Sequence, residues 1–375
     1  KKNFLTEMLE SFPSPGQAVE ALKGEISERP IDGRLNLQVF LNAVGREEEA
    51  FAVAEELIQL APRDPRVIFN YGWHLLKRGE LQEGLACLEY GRPLNTYGHP
   101  FLKSSASLWM PGKKQSAREH VLLVLEGGFG DEIIHARFAK NLSEHHCQVT
   151  VICHPGLASL FARMPGVSAV AQREAALGIY HQSWLPGMSA ALALGLEMGD
   201  LSGAPYLSAD QERKERWAVR LKEASGKIKI GLRWAGNPQF EHQQMRLFPP
   251  EILFKLAQEK RVQFYSFQRD NNLEILPEGI VDLQRELTDW EETAAALDNM
   301  DLVISSCTSV AHLSAALGKK TWVLTPTLPY FIWAVPGSTS PWYDSVRIFR
   351  QSEFGSWENV ETEVRTALGK FVEAF

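Results

Sequence analysis

The chain has 375 residues and a formal net charge of -7, and its composition is 45% hydrophobic and 23% charged. This balance is typical of a soluble globular protein of about two or three domains, and it favours neither nucleic acid nor an anionic membrane as a partner. No apolar run approaches the ~20 residues that a membrane-spanning helix needs, and the first residues lack a signal-peptide pattern. The four cysteines show no CxxC spacing, so a reduced, cytoplasmic setting is expected.

Residues 1 to about 100 are predicted to be all-helical and repetitive. Apolar residues recur at helical spacing over 46–60, 67–77 and 81–90, and proline or glycine separates these segments. The pattern resembles the tetratricopeptide repeat, with one fair repeat at 66–92 and a degraded one at 33–62. Such helix pairs stack and leave a concave face for a peptide or a protein partner. The alternative is a helical cap that only stabilises the next domain.

An alternating pattern of strands and helices follows a linker at 93–118 that is rich in Pro and Gly. The predicted order is strand 121–125, glycine loop 126–131, helix 133–142, strand 148–153, helix 157–163 and strand 167–170. This alternation predicts a parallel sheet that is covered on both faces. A further strand is expected at 178–184 and a charged helix at 207–222, and 224–226 is interpreted as an interdomain hinge.

The glycine loop suits a ligand other than a dinucleotide. Its GxG at 128–130 lacks the third glycine of the dinucleotide fingerprint, because position 133 is Ile. Gly128 and Gly130 would still let a ligand approach the backbone at the carboxyl edge of the sheet. Asp131 follows these glycines and could accept a proton from an attacking hydroxyl group as a general base. The alternative role for Asp131 is that of a helix N-cap.

A second alternating pattern starts at Lys227. Its predicted elements are strands 228–232, 262–267, 281–282, 302–305, 321–324 and 346–349, and helices 249–259, 290–300 and 357–375. Polar loops follow the first two strands at 233–238 and 268–271. The pattern therefore predicts a second Rossmann-like sheet, and two such sheets joined by a hinge form a cleft.

The stretch 301–326 is predicted to be a complete strand, loop, helix and strand. Ser306, Thr308 and Ser309 offer hydroxyl groups that can cap this helix, and Gly318 is placed to end it. A hydroxyl-rich helix start presents free backbone N–H groups and the positive end of the helix dipole, which suit a phosphate group. The alternative is an ordinary buried crossover unit.

Four ordered motifs together carry a resemblance to a known family. They are GGFGD at 127–131, GLRWAGNP at 231–238, ISSCTSVAHLSAALGKKTWVL at 304–324 and SPWYDSVRIFRQ at 340–351. In this combination the chain resembles the tetratricopeptide-repeat-containing glycosyltransferases related to the heptosyltransferases. The resemblance implies an α/β protein with two Rossmann-like domains, the glycosyltransferase B fold, after a helical repeat domain. The implied domains are 1–100 (helical), 101–224 (acceptor) and 225–375 (nucleotide-sugar donor, with the terminal helix).

The resemblance also implies an activity, which is transfer of a sugar from a nucleotide-sugar donor to an acceptor hydroxyl group without a metal ion. The nucleotide-diphosphate sugar would be a co-substrate, and no other cofactor is implied. Asp131 matches the proposed base of the family. The implied donor-binding residues are Gly128, Gly130, Trp234, Gly236, Arg246, Gln268, Thr308, Ser309 and His312. Among them, Thr308, Ser309, His312 and Arg246 would meet the diphosphate, Gln268 would lie near the base or ribose, and Trp234 and Gly236 would line the cleft.

Some residues have competing interpretations. Related members often carry Asp at the position of Cys307, and because a thiol cannot supply a fixed charge, either the donor differs or activity is lost. Cys307 itself is interpreted as a small buried filler rather than a nucleophile. His312 could instead be structural and Arg246 a surface residue, while the aromatic side chains Trp333, Trp342 and Tyr343 are interpreted as packing or cleft wall, with sugar stacking as the alternative.

The acceptor is expected to be a glycan, a lipid-linked saccharide or a protein, with a further protein partner on the helical repeats. Two rival functions remain at this point. One is a catalytically inactive scaffold or peptide-binding protein with a degenerate glycosyltransferase fold. The other is an enzyme of the same architecture that resembles a sugar-nucleotide epimerase.

Overall fold

A computed structural model describes residues 4–112, 118–222, 226–236, 249–269 and 276–375. Within these ranges, a helical N-terminal region is followed by two parallel β-sheets, each accompanied by helices. The α/β class and the two parallel sheets agree with the prediction. None of the helices in these ranges is long and apolar enough to cross a membrane.

The helical region confirms the predicted all-helical character of this part of the chain. Its helices are α1 (Phe4–Ser11), α2 (Pro15–Glu25), α3 (Pro30–Ala43), α4 (Glu47–Leu60), α5 (Pro65–Lys77) and α6 (Leu81–Leu88). Proline opens α2, α3 and α5, where its fixed φ suits the first helical position and no backbone N–H is needed. Helices α5 and α6 touch at glycines: a Cβ at Gly72 would meet the Gly84 carbonyl oxygen at 2.8 Å. This close approach makes α5 and α6 a compact pair.

The first sheet has the strand order β1-β5-β2-β3-β4 and is parallel throughout. Its strands are β1 (Ser107–Leu108), β2 (Glu119–Val124), β3 (Cys147–Ile152), β4 (Val167–Ala171) and β5 (Ser183–Pro186). The helices of this half are α7 (Phe129–Ala136), α8 (Phe138–Glu144), α9 (Ala158–Ala162), α10 (Ala190–Ala193) and α11 (Gln211–Arg220). The strand predicted at 178–184 starts only at Ser183, because Arg173–Gly178 forms a 3-10 helix.

The segment 93–118 is not a plain linker, which corrects the sequence-based prediction. Its residues 107 and 108 form β1, the edge strand that pairs with β5. Tyr97 is buried and donates from its hydroxyl to the Met188 carbonyl oxygen (2.9 Å), and Trp109 is buried as well. These two aromatic anchors hold a Pro- and Gly-rich segment against the first sheet.

The helix predicted at 133–142 is two helices, and the first begins earlier, at Phe129. Between them lies Arg137, whose Nε donates to the Ile134 carbonyl oxygen (2.9 Å). The same buried guanidinium donates from Nη1 to the Trp342 carbonyl oxygen (2.6 Å) and lies over the Tyr343 ring at 4.6 Å. Because Trp342 and Tyr343 belong to the second half of the chain, Arg137 joins the two α/β halves.

The second sheet has the order β11-β10-β9-β6-β7-β8 and is also parallel. Its strands are β6 (Ile228–Arg233), β7 (Val262–Ser266), β8 (Ile280–Asp282), β9 (Leu302–Ser306), β10 (Thr321–Thr325) and β11 (Val346–Arg350). The accompanying helices are α12 (Glu251–Phe254), α13 (Trp290–Asp298), α14 (Ser309–Ala316) and α15 (Glu358–Glu373). The helix predicted at 249–259 is shorter, because Lys255–Gln258 turns into a 3-10 helix. The terminal helix α15 buries Val360, Val364 and Leu368 against one face of this sheet.

A buried ion-paired network joins the helical region to the first sheet. Glu126, two residues after the end of β2, is 3% exposed and accepts two hydrogen bonds from Arg92, at 2.7 and 3.1 Å. The backbone N–H groups of His99 and Met188 also donate to this carboxylate. Arg92 donates in addition to Glu89 (2.7 Å), at the end of the helical region. The network therefore fixes the helices against the root of the glycine loop.

Candidate functional site

The glycine loop of the first half lies against the start of α14 in the second half. A Cβ at Gly130 would meet the His312 ring at 3.1 Å and the Cα of Ser309 at 3.7 Å. Only glycine allows this approach without a shift of the neighbouring ring. The structure thus brings together four residues that the sequence analysis selected from two distant motifs: Gly130, Asp131, Ser309 and His312.

Both carboxylate oxygens of Asp131 accept a hydrogen bond. Oδ2 accepts from the Gly128 backbone N–H (2.9 Å), and Oδ1 accepts from the Tyr330 hydroxyl group (2.8 Å). Gly128 is the N-cap of α7 and Asp131 its third residue, so Asp131 is not itself the N-cap residue, but its carboxylate does cap this helix start as in a capping box. Gly127 has φ +80, and a Cβ there would meet Asp131 Oδ2 at 2.6 Å. The glycines let this carboxylate fold back over the loop, where the Gly128 N–H and the Tyr330 hydroxyl group fix its orientation.

The start of α14 is not capped in the way the sequence predicted. Thr308 is the N-cap residue, yet its side chain makes no capping hydrogen bond. Its hydroxyl oxygen instead lies 3.2 Å from Ser305 Oγ. Ser306 is 2% exposed, and its hydroxyl has no hydrogen-bond partner among the described residues. A helix start whose N-cap side chain is turned away, next to an unpaired buried hydroxyl group, is suited to an anion. Gly318, with φ +79, follows the helix end as predicted.

His312 is buried among aromatic rings on α14. Its ring stacks on Trp333 (centroids 5.1 Å apart, planes 14° apart), and the Tyr343 hydroxyl lies 3.3 Å from Nδ1. Trp333 also donates from Nε1 to the Cys307 sulfur (3.1 Å), and Cys307 is buried. The thiol therefore packs under an indole, as expected of a filler. Trp333, Trp342 and Tyr343 are each at most 1% exposed, so these three rings serve packing and are too enclosed to stack on a sugar.

The other predicted donor residues lie around the carboxyl ends of β6 and β7. Gln268 is buried, its Oε1 accepts from the Ala235 backbone N–H (3.1 Å), and its Nε2 has no partner among the described residues. Trp234 does not line a cleft as expected, because it is 4% exposed and packs edge-on against Phe254 in the core beside the second sheet. Gly236 is partly exposed. Arg246 lies outside the described residues.

Sequence reasoning missed two residues beside Asp131. Tyr330 follows β10, and only its distance in the fold, not its position in the chain, relates it to Asp131. Glu132 is 7% exposed and accepts a hydrogen bond from the His154 backbone N–H (2.9 Å). Burial raises the pKa of Glu132 to about 7, and the charge of Asp131 adds to the rise. The single sequence signal for Glu132 is its place in the first turn of α7.

We expect Glu132→Gln to stabilise the protein more at neutral pH than in acid. The pKa of Glu132 rises from 4.5 to about 7 on folding. Between these two pH values Glu132 therefore binds a proton in the folded wild type more than it does in the unfolded chain. The free energy of unfolding of the wild type then falls as pH rises through this range, by at most about 1.4 kcal/mol per pH unit. Urea unfolding at about pH 5 and about pH 8 measures the difference. Glu144→Gln, at an exposed site, is the control, and an equal gain at both pH values would contradict the assignment.

No protein-family model matches the chain. Protein FlbA of Caulobacter vibrioides is 24% identical to this chain over an alignment that covers 98% of this chain and 72% of that protein. The glycosyl transferase family 9 structure from Veillonella parvula superposes with a TM-score of 0.53 at 11% identity, over 70% of this chain and 100% of that one. The ADP-heptose LPS heptosyltransferase II of E. coli gives a TM-score of 0.48 at 14% identity, over 67% and 99%. The Veillonella similarity shows a shared fold, in agreement with the predicted two-domain arrangement.

Proposed function

We propose that this protein is a glycosyltransferase that moves a sugar from a nucleoside-diphosphate sugar to an acceptor hydroxyl group. The observation that carries the proposal is the contact of Gly130 with Ser309 and His312. This contact brings the loop that carries Asp131 in one half against the start of α14 in the other half. The fold shared with the Veillonella glycosyl transferase supports it. In this proposal residues 101–224 bind the acceptor and residues 225–375 bind the donor.

The chemistry needs a base and a place for the leaving group. The acceptor oxygen forms a bond to the anomeric carbon while the bond from that carbon to the diphosphate oxygen breaks, and its electron pair leaves with the nucleoside diphosphate. Asp131 takes the hydroxyl proton as general base. The N–H groups and dipole of α14 offset the charge that grows on the diphosphate, so the proposal assigns no role to a metal ion.

The donor-binding residues at the start of α14 and after β7 have the following proposed roles. Thr308, Ser309 and His312 meet the diphosphate at the start of α14, and the proposed cation, Arg246, lies outside the described residues. His312 Nδ1 is next to the Tyr343 hydroxyl, so the Cδ2 and Nε2 side of the ring faces Gly130. Gln268, whose Nε2 is unpaired among the described residues, approaches the base or ribose.

The helical region is proposed to be a tetratricopeptide-like module that docks the acceptor or a protein partner. A cavity of about 390 Å³ on this region is lined mainly by residues of α3 and α5, the first helices of the two proposed repeats. Among them are Asp32, Leu35, Arg66, Phe69 and Asn70. The acceptor classes remain those expected from the sequence: a glycan, a lipid-linked saccharide or a protein.

A thermal-shift assay with a panel of nucleoside diphosphates tests the donor site, because any ligand of the native state raises the apparent stability. Transfer or hydrolysis of the matching nucleotide sugar then tests the reaction. Background turnover with every donor, together with tight peptide binding, would favour an inactive scaffold. A product that differs from the donor only in stereochemistry would instead reveal an epimerase.

We expect His312→Ala and Arg246→Ala each to weaken nucleoside-diphosphate binding by about 10-fold or more, because a hydrogen bond to a charged group contributes about 1.5–3 kcal/mol. Isothermal calorimetry measures the affinity. His145→Ala is a matched control, since this exposed histidine ends α8 and has no part in the proposed site. Wild-type affinity in both variants would place the donor elsewhere.

A further inference from the structure

The loop at 326–334, between β10 and β11, connects the helical region to Asp131; we call it the Tyr330 loop. The hydroxyl group of Tyr330 donates to Asp131 Oδ1 (2.8 Å). The ring of Tyr330 packs at 6.2 Å from that of Trp73, and Phe331 packs at 5.9 Å from the same indole. Trp73 belongs to α5 of the helical region. A single loop therefore touches both the candidate base and a helix of the N-terminal region.

Two further contacts fix the ends of the Tyr330 loop. Thr327 donates from its hydroxyl group to the Ala43 carbonyl oxygen (2.7 Å), at the end of α3. Trp333 stacks on His312 and donates to Cys307. The loop is thus anchored on the helical region at one end and on α14 at the other, with Tyr330 between the anchors.

The Trp73 contact also leads to the cavity of the helical region. Phe69, one turn earlier on α5, packs edge-on against Trp73 with ring centroids 6.3 Å apart. Phe69 lines the cavity of about 390 Å³. Packed rings therefore link the cavity wall to the tyrosine that holds the Asp131 carboxylate.

The phenol of Tyr330 is suited to a permanent donor role. Burial raises the pKa of Tyr330 well above its usual value, and the neighbouring Asp131 carboxylate raises it further. The phenol accordingly stays protonated at physiological pH and donates to Oδ1. Each carboxylate oxygen has more than one acceptor position, so Asp131 can still receive a proton from a substrate.

We propose that Tyr330 is a positioning residue for Asp131, and that Trp73 of the helical region holds Tyr330 in place. The inference rests on the proposed glycosyltransferase function. A base that transfers a proton must lie at hydrogen-bonding distance and in a fixed orientation, and a misplacement of the order of 1 Å is costly. In this arrangement the helical region is part of the catalytic apparatus, in addition to any docking role.

Steady-state kinetics of three single variants test the inference. Tyr330→Phe keeps the ring and removes the hydroxyl group, and Trp73→Leu removes the support of that ring. We expect kcat to fall by about 10-fold in both, with the KM for the donor unchanged, because the loss acts on positioning and not on donor binding. Tyr71→Leu is the matched control: it removes an aromatic side chain from the same helix, but Tyr71 stacks on Phe51 of α4 and not on the Tyr330 loop. This control is expected to keep wild-type kcat.

A double variant separates positioning from a general loss of stability. If Trp73 acts through the Tyr330 hydroxyl group, Trp73→Leu adds little further loss of kcat to Tyr330→Phe. Trp73→Phe keeps an aromatic ring at this site, so it should retain most of the wild-type activity. If Trp73→Leu fails to fold, Trp73→Phe takes its place in the experiment. Independent, multiplicative losses from the two sites would overturn the inference.

A measurement without catalysis separates this inference from the proposed function. The melting temperatures of the wild type, Asp131→Asn, Tyr330→Phe and the double variant form a double-mutant cycle. Because the two side chains are in contact, the shift in the double variant should differ from the sum of the two single-variant shifts. If the wild type transfers sugar and Tyr330→Phe does so at the same rate, the positioning role is overturned and the proposed function stands. A wild type that transfers no sugar would overturn the proposed function, and the positioning role with it, even where the cycle shows coupling.

Discussion

Replacement of Asp131 by Asn is expected to lower sugar transfer by about 10²-fold or more and to leave donor affinity unchanged, in line with the usual contribution of a general base. The amide is nearly isosteric with the carboxylate, and its oxygen can still accept from the Gly128 N–H group that Asp131 now binds. The amide cannot take the proton of the acceptor hydroxyl group. Turnover measured under steady-state conditions and donor affinity measured by calorimetry distinguish the two effects.

Asp282→Asn is a matched control for this experiment. Asp282 ends β8, the edge strand of the second sheet, and likewise accepts from a backbone N–H, that of Gln284 (2.9 Å). It has no part in the proposed site, so its amide variant should turn over at the wild-type rate. Unchanged turnover in Asp131→Asn would refute the assignment of the base.

Arg92→Leu is expected to lower the free energy of unfolding by about 3–5 kcal/mol, because it leaves the buried Glu126 carboxylate without its cation. Burial by itself raises the pKa of Glu126, but the hydrogen bonds and charge of Arg92, together with the backbone N–H groups of His99 and Met188, outweigh this and hold the pKa below its usual value. Without Arg92 the effect of burial prevails. The folded variant then loses stability as pH rises, and its deficit should shrink in acid.

Urea unfolding of Arg92→Leu at neutral and acid pH measures this deficit. The double variant Arg92→Leu with Glu126→Leu removes both charges and should be more stable than the single variant, since no uncompensated charge stays buried. Arg78→Leu is the control, because its ion pair with Glu48 lies at the surface, where such pairs contribute at most about 1 kcal/mol. Equal effects of Arg92→Leu and Arg78→Leu would contradict the proposed importance of burial.

The repeating elements of the two sheets were predictable because their signals are local. Apolar runs such as that of β9 and the glycines before α7 specify strand, loop and helix within a few residues. The two-residue strand β1 carries no such run; it pairs with β5, and the buried Trp109 follows it directly. The local sequence pattern therefore predicts the order of the main strands and helices, but it misses elements such as β1 that depend on contacts with distant parts of the chain.

The candidate site was predictable in part, for a similar reason. Asp131, Ser309 and His312 stand at loop and helix starts that the sequence marks, and the structure brings them together. Tyr330 is 199 residues from Asp131 along the chain, so no spacing rule could connect them. Trp234 looked accessible beside Gly236, but its partner Phe254 lies on a separate element, α12. Pairings of this kind depend on the folded arrangement and not on local pattern.

The helical region makes contacts with both α/β halves, and this restricts the motion of one half relative to the other. Arg92 binds Glu126 of the first half, while Ala43 and Trp73 contact the loop of Thr327 and Tyr330 in the second half. A wide rotation of one α/β half away from the other would have to break the buried ion pair of Arg92 with Glu126 or the ring contact of Trp73 with Tyr330. In the proposed function, a sugar nucleotide would therefore enter and the nucleoside diphosphate would leave through small local rearrangements, without a wide rotation of one half.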